Sequence, residues 1–105
     1  MRIPGFGEKI EIEGADYELV SVPGLVDHHQ MGGQVRFIKQ TIVIDPAQSP
    51  ALYIRTLIHE AIEVINDNHE LDLPHPSIRT LEVGLTNLLV DNQFCFAKEC
   101  DCGRS

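Results

Sequence analysis

The chemically distinctive part of this chain is the segment 56–65, TLIHEAIEVI, in which a histidine and two glutamates stand among apolar residues. His59 and Glu63 are four residues apart, so on a helix they share one face, with Cβ atoms about 6 Å apart. Two side chains at that spacing can bind one metal ion. The related pattern H-E-x-x-H binds zinc through its two histidines and uses the glutamate between them as a general base. Here the pattern is H-E-x-x-E, so a carboxylate takes the second ligand position after Glu60.

Two side chains further along the sequence are candidates for a third ligand. His75 stands at the predicted start of a second helix, where a ligand can be placed with little constraint. Glu82 lies about two turns further on, and antiparallel stacking of the helices would bring it near the level of Glu63. A glutamate beside a metal site is more often a hydrogen-bond acceptor than a ligand, and we expect Glu82 to hold His75 or Arg79.

A third candidate is His69, which follows His59 by ten residues. That is the spacing of the last histidine in the metzincin pattern, with Asn66 in place of its glycine, and asparagine tolerates a left-handed turn. If the helix instead continues through Asn68, His69 is carried away from the site. The residues alone leave these alternatives open.

Two amphipathic helices must position these residues. Ser49 is a typical N-cap and Pro50 suits the first helical position, so we predict that the first helix begins there. On a wheel of about 100° per residue, the polar trio lies beside the apolar stripe rather than within it. That stripe comprises Ile54, Leu57, Ile58, Ala61, Ile62 and Ile65. The second helix is predicted to end near Asn92, with a core stripe of Ile78, Leu81, Leu85, Leu88 and Leu89.

Alternating apolar and polar residues before the first helix predict four strands. They cover residues 9–13, 17–22, 34–39 and 41–45. We therefore predict an α+β fold in which a small, mostly antiparallel N-terminal sheet packs on two antiparallel helices. Residues 1–105 form one domain, with a core of about 8–96 and a polar tail of 97–105.

The composition limits the classes of partner. There are 16 acidic and 8 basic residues, and the resulting net charge of −8 disfavours binding to nucleic acid or to an anionic membrane. No apolar run approaches the roughly 20 residues of a membrane span, and we expect a cytoplasmic protein. The cysteines (Cys95, Cys100 and Cys102) are confined to the end of the chain, so they form no disulfide framework. His28 and His29, in a glycine-rich loop, are interpreted as solvated.

The runs TLIHEAIEVIN (56–66) and LDLPHPSIRTLEVGLTNLLVDN (71–92) resemble small zincin-like proteins of bacteriophages and prophages, which are related to gluzincin metallopeptidases. The resemblance covers roughly residues 33–92. It implies a minimal zincin-like fold and a divalent metal, most simply zinc. It also implies that His59, Glu63 and His75 are the metal ligands and that Glu60 is the general base. The chain departs from the usual pattern at Glu63, whose carboxylate makes the site more anionic and weakens its Lewis acidity.

Two classes of function follow. In the first, the protein is a metal-dependent hydrolase, specifically a peptidase, and an extended peptide or protein substrate pairs with the strand edge near Val35. In the second, it is a non-catalytic acidic binding or structural protein with a structural metal or none. The simplest alternative for the trio itself is an ordinary solvated helix face. Glu60 distinguishes the two classes, because a structural metal site needs no base.

Overall fold

The order of polar and apolar residues produces a four-stranded sheet followed by two helices. The computed structural model describes residues 3–25 and 32–93. The strands are β1 (Lys9–Ile12), β2 (Ala15–Ser21), β3 (Gly33–Arg36) and β4 (Thr41–Ile44), and the helices are α1 (Pro50–Asn68) and α2 (His75–Asp91). The α+β class predicted from the sequence is confirmed.

The sheet has the strand order β1-β2-β4-β3. β1 and β2 form an antiparallel hairpin, as do β3 and β4. The two hairpins join through β2 and β4, which run parallel with Leu19 opposite Ile42. This arrangement leaves β3 as an edge strand, with one side of its backbone free of strand partners in the described part of the chain.

α1 is the central element because it packs on the sheet with one face and on α2 with another. Its start agrees with the prediction: the Ser49 Oγ accepts a hydrogen bond from the Leu52 amide at 3.3 Å, and Pro50 occupies the first turn. One core cluster joins α1 to the sheet and comprises Ile12, Tyr17, Leu19, Ile42, Ile44, Leu57 and Val64. The other joins α1 to α2 and comprises Ile54, Ile58, Ile62 and Ile78. Burial on two sides explains why α1 has such a wide apolar stripe.

α2 runs antiparallel to α1, and the connection between them is tied by the Asn66 Oδ1, which accepts a hydrogen bond from the Leu73 amide at 3.0 Å. The predicted core stripe of α2 is wrong in part. Ile78 is buried, but Leu81, Leu85 and Leu88 are 39–50% exposed, and the buried position in that half of the helix is a threonine. Among residues 3–25 and 32–93, α2 packs mainly on α1, which covers only a narrow line of its surface.

Glycine at positions 32 and 33 lets α1 approach the edge strand closely. A Cβ atom on Gly33 would lie 2.7 Å from the Thr56 Cγ2 and 2.9 Å from the Val43 carbonyl oxygen, both closer than real contacts allow. Any other residue type at Gly33 would force Thr56 of α1 and the Val43 carbonyl of β4 to shift. The spacing of the edge strand and the helix therefore depends on this glycine.

Within the described residues, neither helix is long and apolar enough to cross a membrane. Several sequence-based interpretations concern residues outside the described ranges. They are the solvated loop histidines His28 and His29, the three cysteines, and the polar tail 97–105.

We expect Gly33→Ala to lower the free energy of unfolding by about 1–3 kcal/mol, because the added methyl group must displace a helix or a backbone carbonyl. Gly84→Ala is the matched control. A Cβ atom at Gly84, in the interior of α2, meets nothing within 4 Å, so this variant should be more stable by about 0.5–1 kcal/mol. Urea denaturation followed by circular dichroism measures both. Equal effects of the two substitutions would contradict the proposed close approach.

Candidate functional site

A cleft of about 560 Å³ lies between the edge strand β3 and the two helices. Its wall contains every member of the predicted polar trio and both candidate ligands from α2. The lining residues are Gly32, Gly33, Gln34, Val35, Phe37, Thr56, His59, Glu60, Glu63, Asn66, Asp67, His75, Arg79 and Glu82. The site thus draws on α1 for its polar core, on β3 for one wall and on α2 for the other.

His59 is held by a carboxylate that reaches it from α2. Its Nδ1 lies 2.8 Å from the Glu82 Oε1, while the other oxygen, Oε2, accepts from the Nε of Arg55 at 3.2 Å. The Glu82 side chain is only 13% exposed. Since a carboxylate oxygen accepts hydrogen bonds, Nδ1 donates, and in the neutral imidazole Nε2 then keeps the lone pair. The contact therefore orients the imidazole and fixes its tautomer.

The free nitrogen of His59 faces the second predicted ligand. Nε2 lies 3.9 Å from the Oε2 of Glu63, in the i,i+4 arrangement expected from the sequence. That distance is too long for a hydrogen bond, but it places an imidazole nitrogen and a carboxylate oxygen side by side at the cleft. This nitrogen–oxygen pair is suited to a borderline divalent cation such as zinc.

His75 lies beside this pair but does not complete it. Its ring stacks on the His59 ring, with centroids 6.2 Å apart and an interplanar angle of 18°. Within residues 3–25 and 32–93, no group of three or more histidine, cysteine, aspartate or glutamate side chains is arranged to hold a metal ion. His75 is exposed at the first turn of α2, so its side chain has room to rotate.

His69 lies outside the cleft, so the metzincin-like spacing is misleading here. α1 continues through Asn68, and the Nε2 of His69 contacts the Oε2 of Glu13 at 2.7 Å. The Asn68 amide donates to the other oxygen of the same carboxylate at 3.1 Å. These hydrogen bonds hold the pKa of Glu13 below its ordinary value. The cluster ties the β1–β2 turn to the end of α1 and has a structural role.

Glu60 is buried more deeply than its place on the helical wheel predicts. Only 6% of the residue is exposed, because it projects from α1 towards β3 where Gly33 allows close approach. Burial raises the pKa of Glu60 to about 7, although the nearby His59 lowers it, and the carboxylates of Glu63 and Glu82 raise it further. The Val35 amide donates a hydrogen bond to the carboxylate and favours its charged form. A carboxyl group with a pKa near neutrality can both accept and return a proton at physiological pH.

Two contributions to the site were not predicted from the sequence. One is Arg55, which stands four residues before His59 on the same helical face and shares its Glu82 partner. The spacing of four residues between Arg55 and His59 could have indicated that the two side chains share a partner. The other is the Val35 amide, a backbone donor that no side-chain pattern reveals. Glu82 does act as an acceptor, as expected, but for His59 and Arg55 rather than for His75 or Arg79.

Comparison of the chain with protein-family models, with curated proteins and with solved structures gives no match. The zincin-like resemblance of the helical segments therefore stays a prediction.

We expect Glu60 to make the metal-free protein less stable as the pH rises. Between its ordinary pKa of 4.5 and its folded-state pKa of about 7, the folded chain holds a proton that the unfolded chain releases. Stability contributed by the protonated group is thus fully present below about 4.5 and is lost as the pH rises through about 7. Glu60→Gln removes this term and keeps an oxygen for the Val35 amide. Denaturation in EDTA should show the variant gaining about 1–3 kcal/mol over wild type between pH 4.5 and 8. A constant difference would contradict burial of an ionisable Glu60.

We also expect Glu82 to set the tautomer of His59. Long-range ¹H–¹⁵N correlation spectra of the metal-free wild type should show the Nδ1-protonated form. Glu82→Ala removes the acceptor, so the spectrum should change to a mixture of tautomers. Glu82→Gln is the control, because its amide oxygen can still accept from Nδ1. An unchanged spectrum in the alanine variant would show that Glu82 does not orient the ring.

Proposed function

We propose that this protein binds one divalent metal ion in the cleft and is a metal-dependent peptidase. One observation carries the proposal: Glu82 holds His59 by Nδ1, so that Nε2 lies beside Glu63 with the buried acid Glu60 adjacent. A histidine fixed by a carboxylate through one nitrogen and free at the other is the usual arrangement of a metal-ligating imidazole. A bacteriophage or prophage origin and a cytoplasmic location belong to the same proposal, since they derive from the resemblance and the composition.

The donor set fits such an ion in its chemistry. His59 and Glu63 would hold it together with His75, which is exposed at the start of α2 with its ring next to that of His59. Glu82 is less suited to be a ligand, because both of its oxygens already accept hydrogen bonds. A bound divalent ion supplies Lewis acidity, which activates water and polarises a carbonyl group.

Glu60 supplies the acid–base chemistry in this proposal. Its carboxylate oxygen would take a proton from the attacking water and then return it to the nitrogen of the leaving amine. In the metal-free chain burial brings the pKa of Glu60 to about 7, and a divalent ion bound nearby would favour the charged form that accepts the proton of the water. The Val35 amide holds the carboxylate in place at the cleft wall.

The edge strand offers a way to bind an extended peptide. The Val35 amide donates to Glu60, so the backbone of Val35 faces the cleft rather than β4. In an antiparallel ladder every second residue faces the same way, so Gly33 also directs its backbone groups to the open edge. Because Glu60 already occupies the Val35 amide, a substrate strand would pair with the Val35 carbonyl and the backbone groups of Gly33, which places its backbone beside Glu60.

A second candidate function is a non-catalytic binding protein of the same fold. The observation that favours it is that Glu60 already has a structural partner in the Val35 amide. In this alternative Glu60 blocks part of the exposed edge of β3 and prevents unwanted strand pairing. The acidic cleft then serves as a binding surface with a structural metal or none.

Metal content tests the first step. We expect about one divalent ion per chain purified without added metal, and His59→Ala should abolish binding because it removes a nitrogen donor from α1. His69→Ala is the matched control, since that histidine pairs with Glu13 outside the cleft and its loss should leave the metal in place. Inductively coupled plasma mass spectrometry measures both. Metal retained by His59→Ala at wild-type stoichiometry would contradict this site.

Cleavage of a peptide library tests the second step. Glu60→Gln should keep metal and fold, because the amide is isosteric and Glu60 is not a proposed ligand, yet cleavage should fall by about 10²–10⁴-fold. Glu70→Gln, on the exposed connection between the helices, is the control and should cleave like wild type. Metal-loaded wild type that cleaves nothing would favour the binding protein.

A further inference from the structure

We infer that one end of the cleft is a subsite for a basic side chain, arginine or lysine, of a bound extended peptide. Its components are the ring of Phe37 and the carboxylate of Asp67, which line the same cleft from β3 and α1. The inference rests on the proposed function only in taking a peptide as the ligand. It does not depend on whether the peptide is cleaved.

β3 and α1 advance along the cleft in the same direction, and Phe37 and Asp67 are the last lining residues on each side, so both lie at the same end of the cleft. A Cβ atom on Gly33 would touch the Thr56 Cγ2, and two residues later the Val35 amide donates to Glu60. A step of two residues on the strand thus matches one turn of the helix. Phe37, two residues further on, comes level with about Val64, and Asp67 lies three residues, or about 4.5 Å along the helix axis, beyond that level.

Phe37 is an aromatic residue placed at the cleft without being part of the core. It follows β3 directly, lines the cleft and is 41% exposed. Its neighbour Ile38 is fully exposed and does not line the cleft, so the two apolar residues of this turn face different surroundings. An accessible ring can pack against the aliphatic stem of a long basic side chain and attract its charge through a cation–π contact.

The charges at this end of the cleft favour a cation. Asp67 is exposed and makes no ion pair with any of residues 3–25 and 32–93. It belongs to the last turn of α1, where the helix dipole is negative and no basic side chain compensates it. In the metal-free chain Glu63, one turn earlier, adds a second carboxylate. The arginine of the cleft wall, Arg79, belongs to α2 and pairs with neither carboxylate.

A basic side chain is the class of ligand that satisfies both components at once. An aliphatic side chain could cover Phe37 but would gain nothing from the Asp67 carboxylate. An acidic side chain would meet like charges, in a chain whose net charge is already −8. Arginine or lysine can lay its stem on Phe37 and direct its charged group to Asp67.

Fluorescence anisotropy with short labelled peptides tests the subsite, with mass spectrometry to confirm that the peptide stays intact. The peptides are extended alanine-rich sequences that differ at one central position, which holds arginine, citrulline or glutamate. Citrulline keeps the shape of arginine and removes its charge. Arginine should bind best, about three- to tenfold tighter than citrulline, and the preference should weaken with salt.

Matched variants locate the effect. Phe37→Ala and Asp67→Asn should each reduce the arginine preference by about three- to tenfold. Ile38→Ala and Asp72→Asn make the same chemical changes outside the cleft and should leave it unchanged. Asp67→Lys should turn the preference towards the glutamate peptide.

Three results would overturn the subsite: equal binding of arginine and citrulline peptides, equal effects of the cleft variants and their controls, or no measurable binding of any peptide. Failure of the peptidase proposal is a separate result. A protein without metal or cleavage that still prefers arginine through Phe37 and Asp67 would retain the subsite.

Discussion

The hydrogen-bonded carboxylate of Glu82 is the interaction on which the site depends. It links α2 to two residues of α1, His59 at 2.8 Å and Arg55 at 3.2 Å, and it is largely removed from solvent. A buried carboxylate is stable only when its oxygens have partners, so the two α1 side chains and the Glu82 position are mutually constrained. The packing of α2 on α1 through Ile78 fixes the distance that these contacts require. The orientation of the His59 imidazole therefore depends directly on how α2 packs against α1.

The edge strand imposes a second constraint on the same cleft. Glycine at position 33 allows α1 to lie close enough for the Glu60 carboxylate to reach the Val35 amide. That closeness removes Glu60 from water and raises its pKa to about 7. The properties of Glu60 are thus set by a glycine and a backbone amide on another element. His59 depends on α2 and Glu60 depends on β3, so the two central groups of the site are held from opposite sides of α1.

Much of the fold and part of the site could be predicted from the sequence because the relevant signals are local. Strand alternation, the Ser49–Pro50 helix start and the i,i+4 relation of His59 to Glu63 require only neighbouring residues. The parallel pairing of β2 with β4 could not be predicted, since it joins two hairpins that are separate in sequence. The apolar stripe of α2 likewise led to a core prediction that was wrong in part. Periodicity shows that a helix has an apolar side but not how much of that side a neighbour covers.

The remaining differences between the predicted and the observed site arise from contacts between residues that are far apart in the sequence. His69 has a spacing that suits a ligand, yet continuation of α1 through Asn68 directs it to Glu13. Glu82 was identified as an acceptor, but its partners depend on the register of α2 against α1, which the sequence does not specify. The burial of Glu60 depends on how closely β3 approaches. In each case the residue type indicated the chemistry, and tertiary packing decided the partner.

The burial of Glu60 bears on the choice between a catalytic and a structural protein. A carboxyl group whose pKa is raised by burial destabilises the folded state at neutral pH, because its charged form is poorly solvated there. Glutamine could accept the Val35 hydrogen bond equally well through its amide oxygen without this cost. A purely structural role for residue 60 is therefore better served by a neutral side chain, whereas proton transfer requires an ionisable one. The raised pKa of Glu60, beside an oriented histidine, supports the proposal that this site performs acid–base chemistry.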